Sequence, residues 1–186
     1  MKIKLGIGIP NVGSIKAQTA FCLTRMLKDF PYDYDVIFKE GSILHWNRES
    51  IVKKAIELKC THLLFIDSDM YFEKDVVLRL LKHNKDVIGV AYNLRKLPSV
   101  TTIKMPRGEK LKGKLTKCDA VGTGFMLINL KILKRLEHPW FFWETDNHGE
   151  VVTGEDFWFC RLVRSRGYSV WADLTIPVKH IGDYAY

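Results

Sequence analysis

Strand and helix patterns alternate through the first ninety residues, and this alternation limits the folds that the chain can adopt. Short apolar segments are separated by segments whose apolar residues recur at helical spacing, such as Ala20, Leu23 and Leu27. The strands predicted in this part are residues 3–9, 34–40, 62–66 and 87–91. Strands that alternate with helices in this way form parallel sheets with helices on both faces. The sequence therefore predicts a doubly wound α/β fold.

The pattern changes after Tyr92, where a smaller, β-rich part is predicted. The elements expected there are a β-rich segment over 99–105, an apolar segment over 125–128, helices over about 130–136 and from 153 to Gly167, and a strand-like end over 168–180. No internal repeat and no linker divides the chain, so we expect residues 1–186 to form one domain.

The composition excludes an integral membrane protein. The chain has 186 residues, of which 47% are hydrophobic and 27% charged, enough to bury a core. Its apolar runs are far shorter than the ~18 residues of a membrane span, and the N-terminus lacks the continuous apolar stretch of a signal peptide. The four cysteines are at least 38 residues apart, which disfavours a zinc site. We therefore expect a cytoplasmic protein with reduced thiols.

The formal net charge of +8 suggests an anionic partner. Much of this charge lies between Lys104 and Lys117, a segment with six Lys or Arg residues, one Glu, and the glycines Gly108 and Gly113. The segment is as compatible with a solvated flexible loop as with a surface that contacts an anionic acceptor or the periphery of a membrane. Its like charges argue against a packed element.

Polar residues follow each of the first three predicted strands. Pro10 and Asn11 follow the first strand, Glu40 ends the second, and Asp67 and Asp69 follow the third. Ligands of open α/β sheets bind beyond the carboxyl ends of the strands. These side chains are therefore expected to converge on one crevice.

Two common nucleotide-binding signatures are missing from the sequence. Gly6-Ile-Gly8-Ile-Pro-Asn11 begins like the dinucleotide fingerprint, but Asn11 replaces the last glycine and the other glycines lie inside a strand. No GxxxxGK[ST] segment occurs, which excludes a P-loop.

The segment Asp67-Ser68-Asp69 is the sharpest chemical feature. Carboxylates placed one residue apart in a turn can both face a hard divalent cation, which prefers oxygen ligands. The alternative is that one of these aspartates caps the following helix.

At this point the chain resembles the GT-A glycosyltransferases, and in particular family 2-like enzymes. The segments that carry the resemblance, in order, are the helix with Asn47-Arg48, the strand ending in Asp67-Ser68-Asp69, the glycine segment 121–128, Gly154-Glu155-Asp156 and His180. They extend over nearly the whole chain. The resemblance implies a GT-A fold with a nucleotide-sugar half (1–92) and an acceptor half (93–186), in which 121–128 lies on the acceptor side.

The resemblance also implies a metal-dependent sugar transfer. Asp67 and Asp69, with His180, would hold Mn²⁺ or Mg²⁺ against the diphosphate of a UDP- or GDP-sugar, and imidazole slightly favours Mn²⁺. Asp156 would be the general base that accepts the proton of the acceptor hydroxyl, with inversion at the sugar. The acceptor would be a glycan, a lipid-linked group or a protein hydroxyl.

The roles of the late acidic pair stay open at the sequence level. Thr153-Gly-Glu-Asp156 also fits a capping box, which would explain Asp156 without catalysis, and Glu155 is the alternative catalytic acid. Three tryptophans could stack on a sugar or pack in the core. They are Trp140, Trp143 and Trp158.

Donor contacts follow from the resemblance as well. The residues expected to contact the nucleotide sugar, beside the two aspartates, are Pro10, Asn11, Glu40, Arg48 and Ser68. Arg48 could pair with phosphate, or it could be a solvated helix residue.

Other function classes rank lower. A retaining GT-A transferase shares the metal motif, whereas a nucleotidyltransferase normally has a Gly-rich, basic segment after its first strand, and residues 10–14 contain only one glycine. A nucleic-acid-binding protein would leave the acidic pairs unexplained, so no nucleic acid partner is expected.

Overall fold

The computed structural model describes residues 2–94 and 100–182. The strands are β1 (Lys4–Asn11), β2 (Asp33–Glu40), β3 (His62–Ile66), β4 (Met70–Phe72), β5 (Val87–Val90), β6 (Ile103–Lys104), β7 (Leu115–Cys118), β8 (Ala120–Val121), β9 (Phe125–Asn129), β10 (Glu144–Thr145), β11 (Val151–Thr153), β12 (Val170–Asp173) and β13 (Val178–His180). The helices are α1 (Ala17–Lys28), α2 (Leu44–Glu57), α3 (Val76–Lys82) and α4 (Glu155–Ser165), with a 3₁₀ helix over Leu130–Arg135.

The central sheet has seven strands in the order β2-β1-β3-β9-β5-β12-β7. Strands β1, β2, β3, β5 and β12 run parallel, whereas β9 and β7 run antiparallel to their neighbours. The predicted mostly parallel α/β sheet is confirmed, and the apolar segment over 125–128 is a strand inside it. β9 lies between β3 and β5, and an apolar run such as residues 125–128 indicates a buried strand without indicating its direction.

Helices cover both faces of this sheet, as predicted. On one face, Ile51 of α2 and Phe159 of α4 are fully buried in one core cluster. On the other face, Met26 of α1 and Val77 of α3 belong to a second cluster. The apolar spacing of Ile51, Val52, Ala55 and Ile56 predicts one buried face of α2; the first three are fully buried, but Ile56 is 45% exposed.

Several elements differ from the sequence expectation. The predicted helix over about 130–136 is a 3₁₀ helix, whose first turn is capped by the side chain of Asn129, which accepts a hydrogen bond from the Lys131 N–H. The final helix begins at Glu155, after Gly154, and Gly167 lies beyond its end with a φ of +82°. In the 99–105 segment only β6 is a strand, and Ser99 lies outside the described residues.

A short strand pair, β4 with β13, was not predicted. The two strands are antiparallel, with His180 opposite Met70. β4 has only three residues, too few for a period-2 pattern to stand out in the sequence. This pairing connects the strand-like end of the chain to the segment after Asp69.

The basic segment joins two strands. Residues 105–114 contain no helix or strand, as predicted from their charges and glycines, but Lys104 belongs to β6 and Lys117 to β7. β7 begins at Leu115 opposite Asp173, the last residue of β12. The loop therefore opens at the edge of the sheet where the parallel strands end.

No helix within the described residues is long and apolar enough to cross a membrane. All four cysteines are buried with free thiols. The cytoplasmic location stays a prediction.

The glycines of β1 allow α2 to pack closely on the sheet. A Cβ atom on Gly8 would overlap Cγ2 of Ile51, and one on Gly6 would lie 3.3 Å from Cβ of Ala55. These glycines, which are not part of a nucleotide fingerprint, have a packing role.

We expect Gly8→Ala to destabilise the protein by about 1–3 kcal/mol, because the added methyl group overpacks the interface between β1 and α2. Ile51→Ala removes the opposing group and should cost about 2–5 kcal/mol by itself. The double variant should be less destabilised than the sum of the two, as measured by urea unfolding. Strict additivity would contradict the contact.

Candidate active site

The polar residues predicted at the strand ends line one cavity. It has a volume of about 260 Å³ and is open on one side. The predicted site residues that line it are Pro10, Asn11, Asp67, Ser68, Asp69 and His180. Glu40 does not line it: this residue pairs with Asn11 at the end of β2, and its side chain is exposed beside Gly13.

Asn47 shapes the wall of this cavity and was not assigned a role from the sequence. Its Nδ2 donates to the carbonyl of Gly41 at 2.7 Å, and the Gly41 N–H donates to the carbonyl of Asn11 at 3.0 Å. A side chain on Gly41 would lie only 2.6 Å from Oδ1 of Asn47. Asn47 therefore fixes the loop after β2 against the end of β1. In the sequence, the only indication of a role for Asn47 is its position next to Arg48.

Arg48 is buried, with 1% of its surface exposed, so the solvated-helix alternative is wrong. Its Nη2 lies 2.9 Å from Oδ1 of Asp67, and its Nε lies 3.3 Å from Oε1 of Glu155. Burial lowers the pKa of the guanidinium, but the two carboxylates outweigh burial and hold it above its ordinary value. Its side chain pairs with these two carboxylates, and the predicted contact with phosphate stays a prediction.

Asp67 and Asp69 do not cap a helix. The segment after them is β4, and α3 begins only at Val76, preceded by Asp75. The helix-cap alternative for the acidic pair is therefore wrong, and both carboxylates belong to the cavity wall.

The glycine segment before β9 lies directly against Asp67. The Asp67 N–H donates to the carbonyl of Gly124 at 2.9 Å, and the Gly124 N–H donates to the hydroxyl of Tyr92 at 2.9 Å. A Cβ atom on Gly124 would lie 2.8 Å from Oδ2 of Asp67 and would overlap the Tyr92 hydroxyl. Whether this segment also contacts an acceptor stays a prediction, but its glycines are needed for this close approach.

His180 lies next to Asp69 because β13 pairs with β4. Its Nε2 lies 3.1 Å from Oδ1 of Asp69, and the Ile181 N–H donates to the carbonyl of Asp69 at 2.7 Å. The ring of Tyr92 meets the imidazole edge-on at 5.8 Å. The structure thus brings His180 to the acidic pair from more than one hundred residues away in the chain.

The residues at this cavity fit a cation that shares its coordination with phosphate. Within residues 2–94 and 100–182, no group of three or more His, Cys, Asp or Glu side chains is arranged to hold a metal ion by itself. Asp69 and His180 are close enough to act together, while Oδ1 of Asp67 accepts from Arg48. Magnesium typically binds one or two carboxylates and completes its shell with water and substrate phosphates. The donor set suits such a site better than a protein-only cage.

The two late acidic residues have different environments. Glu155 is buried and held through both oxygens, by Arg48 and by the indole Nε1 of Trp143 at 2.7 Å. The capping-box alternative is wrong, because the Thr153 hydroxyl donates to Glu144 at 2.8 Å and Gly154 precedes the helix. Asp156 accepts the N–H of Phe157 at 2.8 Å.

The surroundings of Asp156 raise the pKa of its carboxyl group. Burial raises its pKa from 3.8 to about 6, and repulsion from the Glu155 carboxylate adds to the rise. A carboxylate with a pKa near the working pH is suited to general base catalysis. The structure therefore distinguishes the two acids by their surroundings, as the sequence could not.

The three tryptophans are mainly structural. Trp143 binds Glu155, and the Trp158 indole donates to the carbonyl of Pro139 at 3.3 Å while its ring contacts Arg161. Trp140 is partly buried against the core.

We expect Asp156→Asn to stabilise the metal-free protein at neutral pH. The carboxyl group of Asp156 has a higher pKa in the folded protein than in the unfolded chain, so the folded protein binds its proton more tightly. The free energy of unfolding of the wild type therefore falls as the pH rises from about 4 to about 6. The variant should therefore match the wild type near pH 4 and exceed it by about 1–3 kcal/mol at pH 7–8.

Urea unfolding at several pH values in EDTA measures this difference, and the exposed Asp29→Asn variant is the control. A gap between Asp156→Asn and the wild type that does not change with pH would show that Asp156 is not destabilised by burial of its charge.

Comparison with known proteins shows the fold. No protein-family model and no curated protein matches the sequence. Among solved structures, A197 from STIV matches with a TM-score of 0.69 and 21% sequence identity. The match covers 98% of this chain and 87% of the A197 chain. Two crystal structures of S. aureus TarS 1-349 match with TM-scores of 0.50 and identities of 14% and 15%, and one of them is a complex with UDP-GlcNAc.

This chain covers 59% and 60% of those two TarS chains, and the aligned regions comprise 93% and 92% of its own residues. At these identities the similarity concerns the backbone arrangement alone. The chain therefore has the GT-A-like α/β fold that the sequence predicts.

Proposed function

We propose that this chain is a metal-dependent glycosyltransferase that takes its sugar from a nucleotide-diphosphate donor. The observation that carries the proposal is the Arg48 ion pair, which joins Asp67 at the donor cavity to Glu155, the residue before Asp156. The ion pair thereby holds Asp67, which is proposed to lie near the phosphates of the donor, in the same site as Asp156, the proposed base. The UDP-GlcNAc complex of TarS, a protein with a similar fold, supports a nucleotide sugar as donor.

The donor is proposed to lie in the cavity at the ends of β1 and β3. Pro10, Asn11 and Ser68 line it. Glu40, which pairs with Asn11 outside the cavity lining, is proposed to accept from a base N–H. Asp69 and His180, with Asp67 nearby, would hold Mn²⁺ or Mg²⁺ there. The cation would neutralise the charge that develops on the departing diphosphate.

Asp156 is proposed to accept the proton of the acceptor hydroxyl. Its raised pKa makes it a stronger base than an ordinary aspartate, while both oxygens of Glu155 are already occupied by hydrogen bonds. A base on the acceptor side corresponds to direct displacement with inversion at the sugar carbon. The basic loop 105–114, which opens at the same edge of the sheet, is proposed as a surface that attracts an anionic acceptor.

We expect UDP or GDP to bind only with a divalent cation, and Asp69→Ala to weaken this binding by about 10–100-fold, because a carboxylate ligand is lost. Isothermal titration with Mn²⁺ and with EDTA measures both effects. Asp29→Ala, an exposed aspartate outside the cavity, should bind as the wild type does. Equal affinities in Mn²⁺ and in EDTA would rule out the metal site.

We expect Asp156→Asn to slow Mn²⁺-dependent hydrolysis of UDP-GlcNAc or a GDP-sugar by about 10²–10⁴-fold, since water can replace the acceptor and also needs a base. Nucleotide affinity should remain, because Asp156 does not line the donor cavity. Glu155→Gln is the matched variant. If Glu155→Gln loses the hydrolysis and Asp156→Asn keeps it, Glu155 is the base instead.

A further inference from the structure

The first turn of α2 faces two cavities. Leu44 and Asn47 line the donor cavity, whereas His45 and Trp46 line a neighbouring cavity of about 430 Å³. The second cavity also includes Phe142, from the loop before β10. It is large enough to hold a sugar or another small organic group.

Aromatic rings form one wall of this second cavity. The His45 ring contacts three other rings, with centroid distances of 5.8 Å to Trp46, 6.3 Å to Phe142 and 4.9 Å to Trp143. We call these four residues the aromatic platform; His45, Trp46 and Phe142 line the cavity, and Trp143 packs on His45 outside the lining. Trp46 is 62% exposed and Phe142 is 42% exposed. Both rings contact His45 and line the same cavity, so their exposed faces are available to stack on a ligand there.

The aromatic platform is connected to the candidate catalytic residues. Trp143 donates its indole N–H to Glu155 at 2.7 Å, and Glu155 accepts from Arg48, which also binds Asp67. Asp156 is the next residue along α4. The aromatic platform is thus joined through Trp143 to the residue that precedes the proposed base.

Polar groups in the same cavity define the chemistry of the occupant. Glu49 is buried there, where its carboxylate accepts the Phe141 N–H at 2.7 Å and pairs with His138 at 2.6 Å. Ser50 and Lys53 also line the cavity. Exposed ring faces next to hydroxyl, ammonium and imidazole groups fit a pyranose, which has an apolar C–H face and a rim of hydroxyl groups.

We propose that the aromatic platform binds a pyranose ring of a glycan acceptor, with Trp46 and Phe142 stacking on its C–H face. The assignment as acceptor rests on the proposed transferase function, whereas the binding of the sugar does not. Ring stacking does not require a charge on the sugar, so neutral glycosides are sufficient probes.

Saturation-transfer difference NMR with the methyl pyranosides of glucose, galactose, mannose and N-acetylglucosamine tests the proposal. At least one glycoside should receive saturation on its ring protons, and Trp46→Ala should reduce this signal about five- to tenfold, as expected for the loss of one stacking contact. Trp46→Tyr should retain most of it. Phe38→Ala, which removes a 56% exposed ring from β2, is the matched control and should have no effect.

UDP titration in Mn²⁺ distinguishes this proposal from the proposed function. Glycoside binding that depends on Trp46 without any nucleotide binding would support the sugar site and contradict the transferase. Absence of saturation transfer to all four glycosides would overturn the sugar site. So would a loss of UDP affinity in Trp46→Ala, which would assign Trp46 to the donor.

A role in membrane contact is the remaining outcome. Sedimentation with vesicles of phosphatidylcholine and phosphatidylglycerol at a ratio of about 7:3 would detect an interfacial tryptophan. Vesicle binding that is lost in Trp46→Ala, together with an absence of glycoside binding, would overturn the proposal.

Discussion

The buried ion pair of Arg48 with Asp67 and Glu155 is the interaction on which the arrangement of the site depends. A guanidinium removed from water is costly unless carboxylates compensate it, and removing one partner leaves an uncompensated buried charge. The three side chains come from α2, from the end of β3 and from the start of α4. Their pairing therefore fixes the position of the late helix relative to the early strands, and with it the position of Asp156.

Close backbone contacts hold the other side of the same acidic segment. Gly124 approaches Asp67 within a distance that no side chain would permit, and the pairing of β13 with β4 brings His180 to Asp69. Three separate parts of the chain, represented by Arg48, Gly124 and His180, thus contact Asp67 or Asp69. The raised pKa of Asp156 follows from the same crowding, because burial and the neighbouring Glu155 both disfavour its charge.

Much of the scaffold could be predicted from the sequence, because hydrophobic periodicity records burial. β3 begins and ends where predicted, and the acidic pair follows it as expected. Three features could not be predicted in this way. The first is the direction of β9, whose apolar residues are buried on both faces, and the second is the set of partners of Arg48, which are 19 and 107 residues away. The third is the cap of α4, where Thr153 binds Glu144 instead of the helix. The first two depend on contacts that are remote along the chain, and the third on a side-chain contact nine residues away that competes with the cap.

The position of β9 has a consequence for how the chain folds. Among the residues that the structure describes, β5 pairs in the central sheet with β9 and β12, and both of these strands follow residue 120. When the first ninety residues leave the ribosome, β5 has no partner in that sheet and β3 is an open edge next to β1. The sheet is therefore completed late, through contacts of high sequence separation, which is the topology associated with slow folding and with exposure of unpaired edges to aggregation.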